Sequence, residues 1–471
     1  MKRNLFSKVF MAMTATAVMG LASCSNDNDP AGGQELPQGK ATGMQLVLDL
    51  GGAATRAIND DNAKAEETVI EKLNIFIYGE NGVLEKVHEV GFAELTEAGN
   101  NKYKTKELLA TTGRKTIYVG ANMTAAMIQT MKATPVTGLS GKGVGQVVAD
   151  IATPNKFIMF STVGATPTLV EDANPDDTPT ENQVEVNLQR LAAKIAVGMT
   201  AQLTDANVQQ GAAGKIEELG FVVDNTNKMY YLTYGGADAA PKDANMTVGQ
   251  YQDTDFELIP DFTAPTVNYN VITPGVGYVN TNGGNWNAGY ASENLTEDKM
   301  IKGVTRIVVK GKFTPSAGVK VTDDGLGNIT FQENVPGHIN ANATYYLLDF
   351  PEAGGYAFFP EATTDAQLKA FMAQKKGVNV NAVTDEMLKE AKKTYKNGLN
   401  YWWVTVKDNQ GDVLRNHFYK VDVTSIWAPG RTDGKFDPDK DDKTIDKETN
   451  ITVEVTVEPW SFVEFNADLR P

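Results

Sequence analysis

Apolar and polar residues alternate in many short segments of the chain, a pattern that predicts β-strands rather than long helices. Segment 72–78 ends at a turn, and segment 83–87 follows as the returning strand of a hairpin. Amphipathic helices are predicted only at 362–374 and 385–395. Further strands are predicted at 115–122, 305–313, 401–406, 417–423 and 451–457. The pattern therefore predicts a mainly β fold of β-sandwiches with a few short helices.

Two segments near the ends of the chain each place four apolar residues on one face of a strand. In the first they are Met44, Leu46, Leu48 and Leu50, and in the last they are Val463, Phe465, Ala467 and Leu469. A chain end stays disordered unless something binds it. Residues 461–471 are therefore predicted to be bound by something, and the strand at 44–50 shows the same number and spacing of apolar residues.

Arg56 separates the first of these strands from the rest of the chain. Small residues precede Arg56-Ala57 and a polar run follows, as in an exposed loop that an Arg-specific protease would cut. The alternative is an ordinary turn after a first strand, and the residues by themselves favour it. Cleavage after Arg56 thus stands as a hypothesis at this point.

The N-terminal residues have the three parts of a secretion signal. Lys2, Arg3 and Lys8 form a basic region, residues 9–21 form an apolar stretch too short to span a bilayer, and small residues lead to Cys24. This order predicts a lipoprotein signal over 1–23 and a lipid on Cys24, with an ordinary secretory signal as the alternative. Since Cys24 is the only cysteine, the exported chain forms no internal disulfide and depends on core packing.

Length and charge narrow the possible classes of protein. A chain of 471 residues exceeds one typical domain, and residues 191–197 are predicted to lead into a second one. The formal net charge of −16 argues against nucleic acid and against an anionic membrane surface as partners. These features indicate a soluble, exported protein of at least two domains.

Candidate chemistry is sparse. The histidines His88, His338 and His417 form no metal-spaced pair and adjoin no nucleophile, so neither an enzyme nor a cofactor is predicted. Trp402-Trp403 could stack on a sugar, but neighbours on a strand face opposite ways, and core packing is the preferred interpretation. Four acidic residues have calcium-loop spacing without the glycine such a loop needs, so a solvated loop is preferred there. They are Asp437, Asp439, Asp441 and Glu448.

Several segments, taken in their order along the chain, resemble the fimbrillins of Bacteroidetes, or type V pilins, and most of all the stalk subunits of short (minor) fimbriae. The resemblance covers most of residues 41–471. It rests on the context of Cys24, on Arg56-Ala57, and on segments 73–78, 118–122, 188–194, 290–294, 397–402, 415–421 and 453–460.

The resemblance implies two transthyretin-like β-sandwich domains, at 57–192 and 193–460, in a structural and non-catalytic protein. It implies a lipidated tether and propeptide strand at 24–56 that is removed after Arg56, and a donor strand at 461–471. The mature chain would join other subunits head to tail by donor-strand exchange in a surface fimbrium that serves adhesion or biofilm formation. Implied partners are an Arg-specific protease and a host or bacterial receptor, with membrane contact only through the precursor's lipid.

Two alternatives remain from the sequence. One is a tip or anchor subunit of the same family, and the other is a surface lipoprotein that binds glycans. A glycan-binding protein has no need of an alternating apolar tail after Trp460. The tail therefore favours a fimbrial subunit over a glycan-binding protein.

The lipid site gives a first testable prediction. Replacing Cys24 by Ala removes the thiol that would be acylated, so the variant should take up no lipid label and enter fimbriae poorly. Metabolic labelling with a radioactive fatty acid measures this directly. Normal labelling of Cys24→Ala would contradict the assignment.

Overall fold

A computed structural model describes residues 39–50, 65–99, 102–140, 142–145, 147–171, 181–199, 214–234, 256–275, 288–295, 303–350, 355–406, 412–426, 429–435 and 451–459. Strands dominate these residues, as the alternating pattern predicts, and the helices are short. The strands form several mostly antiparallel sheets that pack as β-sandwich domains.

The strands of the first half are β1 (Ala41–Asp49), β2 (Lys72–Tyr78), β3 (Leu84–Gly91), β4 (Thr96–Gly99), β5 (Lys102–Lys104), β6 (Leu108–Thr111), β7 (Gly113–Arg114), β8 (Thr116–Ala121), β9 (Gly143–Gly145), β10 (Met159–Phe160), β11 (Thr168–Leu169), β12 (Gln183–Asn187) and β13 (Gln189–Arg190). The helices here are α1 (Ala125–Ala133), α2 (Val136–Leu139) and α3 (Val148–Ile151).

The strands of the second half are β14 (Ala192–Gly198), β15 (Gly214–Asp224), β16 (Thr226–Asn227), β17 (Met229–Tyr231), β18 (Phe256–Glu257), β19 (Asn270–Val271), β20 (Ala288–Ser292), β21 (Arg306–Pro315), β22 (Ala317–Asp323), β23 (Ile329–Pro336), β24 (Tyr345–Phe350), β25 (Gly355–Pro360), β26 (Lys392–Tyr395), β27 (Leu399–Thr405), β28 (His417–Ile426) and β29 (Ile451–Pro459). Two helices, α4 (Asp365–Lys376) and α5 (Asp385–Ala391), lie between β25 and β26.

Two five-stranded sheets enclose the first core. One has the order β12-β1-β5-β4 with β6 also paired to β1, and the other has the order β13-β10-β8-β2-β3. Strand β2 has the predicted bounds, and its apolar residues Leu73, Ile75 and Ile77 are fully buried in this core. The burial of side chains from β1 and β2 in one cluster explains how the two sheets hold together.

A second core lies between the sheets β20-β14-β28-β29 and β19-β15-β21-β27. Strand β14 follows β13 after one residue, so the chain passes from the first sandwich to the second at residues 190–192. Trp402 on β27 is almost completely buried in this second core. The strand predicted at 451–457 is β29, and its Val453 and Val455 pack against the same core.

Helices α4 and α5 cover a smaller sheet, β25-β24-β26, and share a separate core with it. Thr364 caps α4 through a capping box with Gln367, and Gly377 ends the helix in a left-handed conformation with φ of 64°. The helix predicted at 385–395 is wrong in its last four residues, which form β26. They pair with β24, and this pairing overrides their local preference.

The junction of the two sandwiches contains a fully buried cluster of charges. Glu67 accepts hydrogen bonds from Lys194 Nζ at 2.9 Å and from the Tyr290 hydroxyl at 2.6 Å, and its main-chain oxygen accepts from Arg190 Nε at 3.0 Å. Burial, and then the neighbouring carboxylate, raises the pKa of Tyr290, so its hydroxyl stays protonated and donates. Glu67 therefore ties the first described residues after the 51–64 segment to the second sandwich.

A second contact at the junction runs in the opposite direction. Strand β17 leaves the second sandwich and pairs with β9 of the first, and Thr233 donates to Thr162 O at 2.6 Å. Arg415 holds this segment by donating to Tyr231 O at 2.6 Å while it is ion-paired with Glu293 at 2.7 Å. The two sandwiches thus each hold a segment of the other.

The buried pair of Glu67 and Lys194 gives the second prediction. Lys194→Met removes the ammonium group that donates to the buried carboxylate of Glu67, so the free energy of unfolding should fall by about 3–5 kcal/mol. The matched control is Lys215→Met, since Lys215 pairs with Glu217 at the surface, where the loss should stay below about 1 kcal/mol. Denaturant unfolding measures both, and equal losses in the two variants would contradict a stabilising role for the buried pair.

Candidate functional site

The strand at 44–50 that the sequence singles out corresponds to β1, and β1 is central in its sheet. It pairs in parallel with β12 on one side, from Gln45↔Gln183 to Asp49↔Asn187. On the other side it pairs antiparallel with β6 over Ala41–Met44 and with β5 over Val47–Asp49. Its main-chain groups are therefore bound along both edges, and the strand begins three residues earlier than the apolar pattern predicts.

The apolar face of β1 lies in the core of the first sandwich. Met44, Leu46 and Leu48 are completely buried, and Leu50, just after the strand, is 5% exposed. Buried side chains of this size contribute about 1.5–3 kcal/mol each, so the four together contribute roughly 6–12 kcal/mol. The predicted alternation is confirmed, and the strand fills a groove whose walls are apolar.

Two polar side chains that sequence reasoning missed hold the main chain of β1. Asn182 donates from Nδ2 to Gly43 O at 2.9 Å and to Val170 O at 2.9 Å, and its own main-chain oxygen accepts from Gln45 N at 3.0 Å. On the opposite edge, between β5 and β6, Thr105 Oγ1 accepts from Leu46 N at 3.0 Å. Because these bonds go to the main chain, they bind an extended strand without regard to its side chains.

Thr105 also closes the gap between the two antiparallel partners of β1. Its main-chain N–H donates to Leu46 O at 3.1 Å, and its side-chain Oγ1 accepts from Leu46 N. Thr105 therefore makes the two hydrogen bonds that a strand residue would make with Leu46. The Gln45 side chain donates to Thr105 O at 2.9 Å. The groove therefore has no unbound step at the position where β5 ends and β6 begins.

Charged residues mark the end of the groove where β1 stops. Lys102 on β5 forms an ion pair with Asp49 at 3.5 Å and a second, closer one with Glu185 on β12. The hydrogen bond that Lys102 donates to Glu185 is the main cause that raises the pKa of Lys102. Lys102 thus links the two strands that flank β1, and Asp49 supplies one of its two carboxylates.

The remaining predicted site residues lie outside the described part of the chain. This holds for the lipid site Cys24, the cleavage site Arg56-Ala57, the donor residues Val463, Phe465, Ala467 and Leu469, and the acidic residues Asp437, Asp439, Asp441 and Glu448. Strand β29, which leads to the donor segment, is an edge strand paired with β28 alone. Their roles stay predictions.

The aromatic pair considered for sugar binding is part of two cores. Trp402 is 1% exposed in the second core, and Trp403 is 6% exposed in a cluster on the other face of β27, where it contacts Phe262. The core interpretation of Trp402-Trp403 is confirmed. Neither indole presents a face to which a glycan could bind.

Other candidate chemistry in the described residues is limited to hydrogen bonds that stabilise the fold. His88 Nε2 lies 2.8 Å from Leu109 O, and His417 Nδ1 lies 2.8 Å from Arg415 O. No group of three metal-ligating side chains occurs among the residues that the structure describes. Within the same residues, no helix has the length and apolar character needed to cross a membrane.

Two family models match separate parts of the chain. "Major fimbrial subunit protein (FimA)" matches residues 43–190, which run from β1 to the end of the first sandwich, and "Major fimbrial subunit protein type IV, Fimbrillin, C-terminal" matches residues 393–466. No curated protein matches the chain at a significant level.

Solved structures of low sequence identity align with nearly the whole chain. A candidate cell adhesion protein of Parabacteroides distasonis is 15% identical, with a TM-score of 0.48, over 90% of this chain and 100% of the other. A second such protein of the same organism is 13% identical, with a TM-score of 0.47, over 90% and 98%. A fimbrilin of Porphyromonas gingivalis is 15% identical, with a TM-score of 0.44, over 90% and 98%.

The two family models describe subunits of the same kind of assembly. The protein is therefore a structural subunit of a cell-surface fimbrium. The chain belongs to the fimbrillin family of Bacteroidetes.

The buried face of β1 gives the third prediction. Leu46→Ala leaves a cavity in the first core, so the free energy of unfolding of the uncleaved chain should fall by about 2–5 kcal/mol. The control is Leu109→Ala on the neighbouring strand β6, where the side chain is 54% exposed and the change should stay within about 0.5 kcal/mol. Denaturant unfolding of both variants measures the difference, and a small effect of Leu46→Ala would mean that β1 is only loosely held.

Proposed function

We propose that the protein is a shaft subunit that is exported as a lipoprotein, cleaved after Arg56 and polymerised by donor-strand exchange. The observation that carries this proposal is the central position of β1, which is paired along both edges and, together with Leu50 just after it, buries four apolar side chains. Arg56 follows Leu50 closely in the sequence. A single cut there would separate β1 from the rest of the chain.

Loss of β1 would leave an unstable groove. The inner edges of β12, β5 and β6 would lose their hydrogen-bonding partner, and the apolar floor under Met44, Leu46 and Leu48 would face water. Unpaired strand edges of this kind bind another strand readily. The cleaved subunit therefore accepts a donor strand, whereas the uncleaved one keeps its groove filled by its own chain at high effective concentration.

The segment at 461–471 has the pattern that this groove needs. Its four alternating apolar residues equal in number those that β1 buries. Val463, Phe465 and Leu469 together would contribute roughly 5–9 kcal/mol, since buried side chains of this size contribute about 1.5–3 kcal/mol each. Asn182 and Thr105 bind the main chain of β1 and would bind that of a donor in the same way.

A subunit within the shaft must both accept and donate a strand. The chain has a groove that β1 fills and a C-terminal segment that can serve as donor. A shaft subunit is therefore favoured over a tip or anchor subunit. The glycan-binding alternative lacks support because Trp402 and Trp403 are buried. The partners are then identical subunits, an Arg-specific maturation protease and a receptor of the host or of another bacterium.

These roles imply two successive locations. The precursor is an outer-membrane lipoprotein that contacts the membrane through the lipid on Cys24. After cleavage the lipid leaves with residues 24–56, and the mature chain lies in the extracellular fimbrium. Cleavage thereby frees the subunit from the membrane in the same step that opens its groove.

The cleavage step gives the fourth prediction. Shed fibres should have the N-terminal sequence Ala57-Ile58-Asn59-Asp60, and Arg56→Ala should yield an uncleaved chain that does not polymerise. N-terminal sequencing and electron microscopy measure the two results. Fibres that begin at Cys24, or fibres of Arg56→Ala in normal amounts, would refute assembly gated by cleavage.

The donor strand gives the fifth prediction. Phe465→Asp would put an unpaired charge into an apolar groove, so it should abolish fibres while the uncleaved monomer stays folded. The matched control is Asn466→Asp, which adds the same charge on the opposite face of the segment and should leave fibres intact. Electron microscopy and SDS-resistant ladders report the outcome, and normal fibres from Phe465→Asp or from a chain truncated after Trp460 would place the donor elsewhere.

A further inference from the structure

Arginine and lysine carry the same charge, but this chain uses them in different places. Of its 43 basic residues only eight are arginine: Arg3, Arg56, Arg114, Arg190, Arg306, Arg415, Arg431 and Arg470. Arg3 belongs to the predicted signal, and Arg470 precedes Pro471, which lacks the N–H of an ordinary peptide bond. Five arginines lie in the described part of the chain, and each is protected.

Three of these five have buried side chains. Arg190, Arg306 and Arg415 are 0%, 1% and 3% exposed. Arg306 donates to Asp224 at 2.8 Å, and the other two are held at the domain junction by Glu67 and Glu293. A trypsin-like protease must take the arginine side chain into its own pocket. These three cannot enter such a pocket unless the fold opens.

The other two arginines are more exposed, but the peptide bonds that follow them are held. Arg431 is 34% exposed and stacks over Trp403, and its carbonyl oxygen accepts from Tyr401 N at 3.1 Å. Arg114 lies in β7, paired with β11, and the next residue, Lys115, donates its main-chain N–H to Pro167 O at 2.9 Å. An endopeptidase binds its substrate as a segment whose main chain is free to pair with the enzyme. Both of these peptide bonds are instead held to another segment of the fold by a main-chain hydrogen bond, at the carbonyl of Arg431 and at the N–H of Lys115.

Lysines show no such restriction. Lys106, Lys142 and Lys156 are exposed in coil. Several more are exposed at the surface, including Lys40 and Lys215, whose side chains are 73% and 69% exposed. Solubility and surface charge would be served equally by arginine at these positions. The different placement of arginine and lysine therefore needs a cause other than charge.

We propose that the placement of arginine limits an Arg-specific endopeptidase to a single cut, after Arg56, and protects the folded subunit from the protease that matures it. The inference rests on the proposed cleavage at Arg56. It adds that the cut falls after Arg56 because the other arginines are poor substrates. Every arginine among the described residues is held in the fold. A protease of this specificity can then act repeatedly on precursor and fibre without degrading either.

The test uses the full precursor chain and a purified Arg-specific endopeptidase, with fragments measured by intact mass. The native chain should be cut after Arg56 at a rate at least about 100-fold above that at Arg114 or Arg431, because cleavage there has to await local unfolding. In urea the same enzyme should cut at Arg114, Arg190, Arg306, Arg415 and Arg431 as well. Comparable rates at Arg56 and at Arg114 or Arg431 in the native chain would overturn the proposal.

A matched pair of variants at Leu326 tests whether an exposed arginine is sufficient. Leu326 is 86% exposed at the tip of the β22–β23 hairpin, between Gly325 and Gly327. Leu326→Arg should create a second cut that leaves a fragment ending at position 326, whereas Leu326→Lys adds the same charge and should be left intact. If Leu326→Arg resists the enzyme, the fold protects any surface residue, and arginine placement has no protective role.

The two variants also separate this inference from the proposed function. If the enzyme cuts Leu326→Arg at the hairpin but does not cut after Arg56, the maturation site is wrong, while the protection of the native arginines stands. If it cuts after Arg56 and also at native arginines of the folded chain, cleavage at Arg56 stands and the protection is refuted.

Discussion

The structure depends on one constraint, which is that a central strand must have hydrogen-bonding partners on both sides. β1 forms main-chain hydrogen bonds with β12 along one edge and with β5 and β6 along the other. Its apolar side chains complete the first core. A chain that loses such a strand exposes two rows of main-chain groups and an apolar groove at the same time. The requirement is for an extended strand of the right pattern, and not for this particular strand.

Other parts of the molecule are held together by contacts that do not involve β1. The second sheet of the first sandwich contains no residue of β1, so its ladder from β13 to β3 does not depend on it. Glu67 anchors the chain that follows residues 51–64 to Lys194 and Tyr290 of the second sandwich. Strand β17 holds the two sandwiches together from the other side. A change in the pairing of β1 thereby interrupts the hydrogen-bond ladder of one sheet only, while the junction of the sandwiches keeps its contacts.

The sequence predicts those strands whose residues are apolar over a short run, but not the contacts between residues that are far apart along the chain. Segment 72–78 is predicted with the bounds that the structure gives, because it is a short, mostly apolar run that turn residues follow. The start of β1 is missed, since Thr42 and Gly43 belong to the strand through their pairing with β6 and carry no apolar signal. Asn182 and Thr105 are missed for a related reason. Their partners on β1 lie 59 to 139 residues away, and such contacts leave no trace in a window of sequence.

The arginines combine two demands that would otherwise conflict. A planar guanidinium satisfies several acceptors at once, so arginine suits buried ion pairs such as those of Arg306 and Arg415 better than lysine does. That preference explains why arginines are found inside the fold, but it does not explain why lysine takes the exposed turns. Under the proposed cleavage after Arg56, susceptibility to an Arg-specific protease would supply the second half of the explanation, because it distinguishes the two residues where charge does not. The contacts that stabilise the junction, Arg190 with Glu67 and Arg415 with Glu293, would then also keep the chain intact in the presence of that protease.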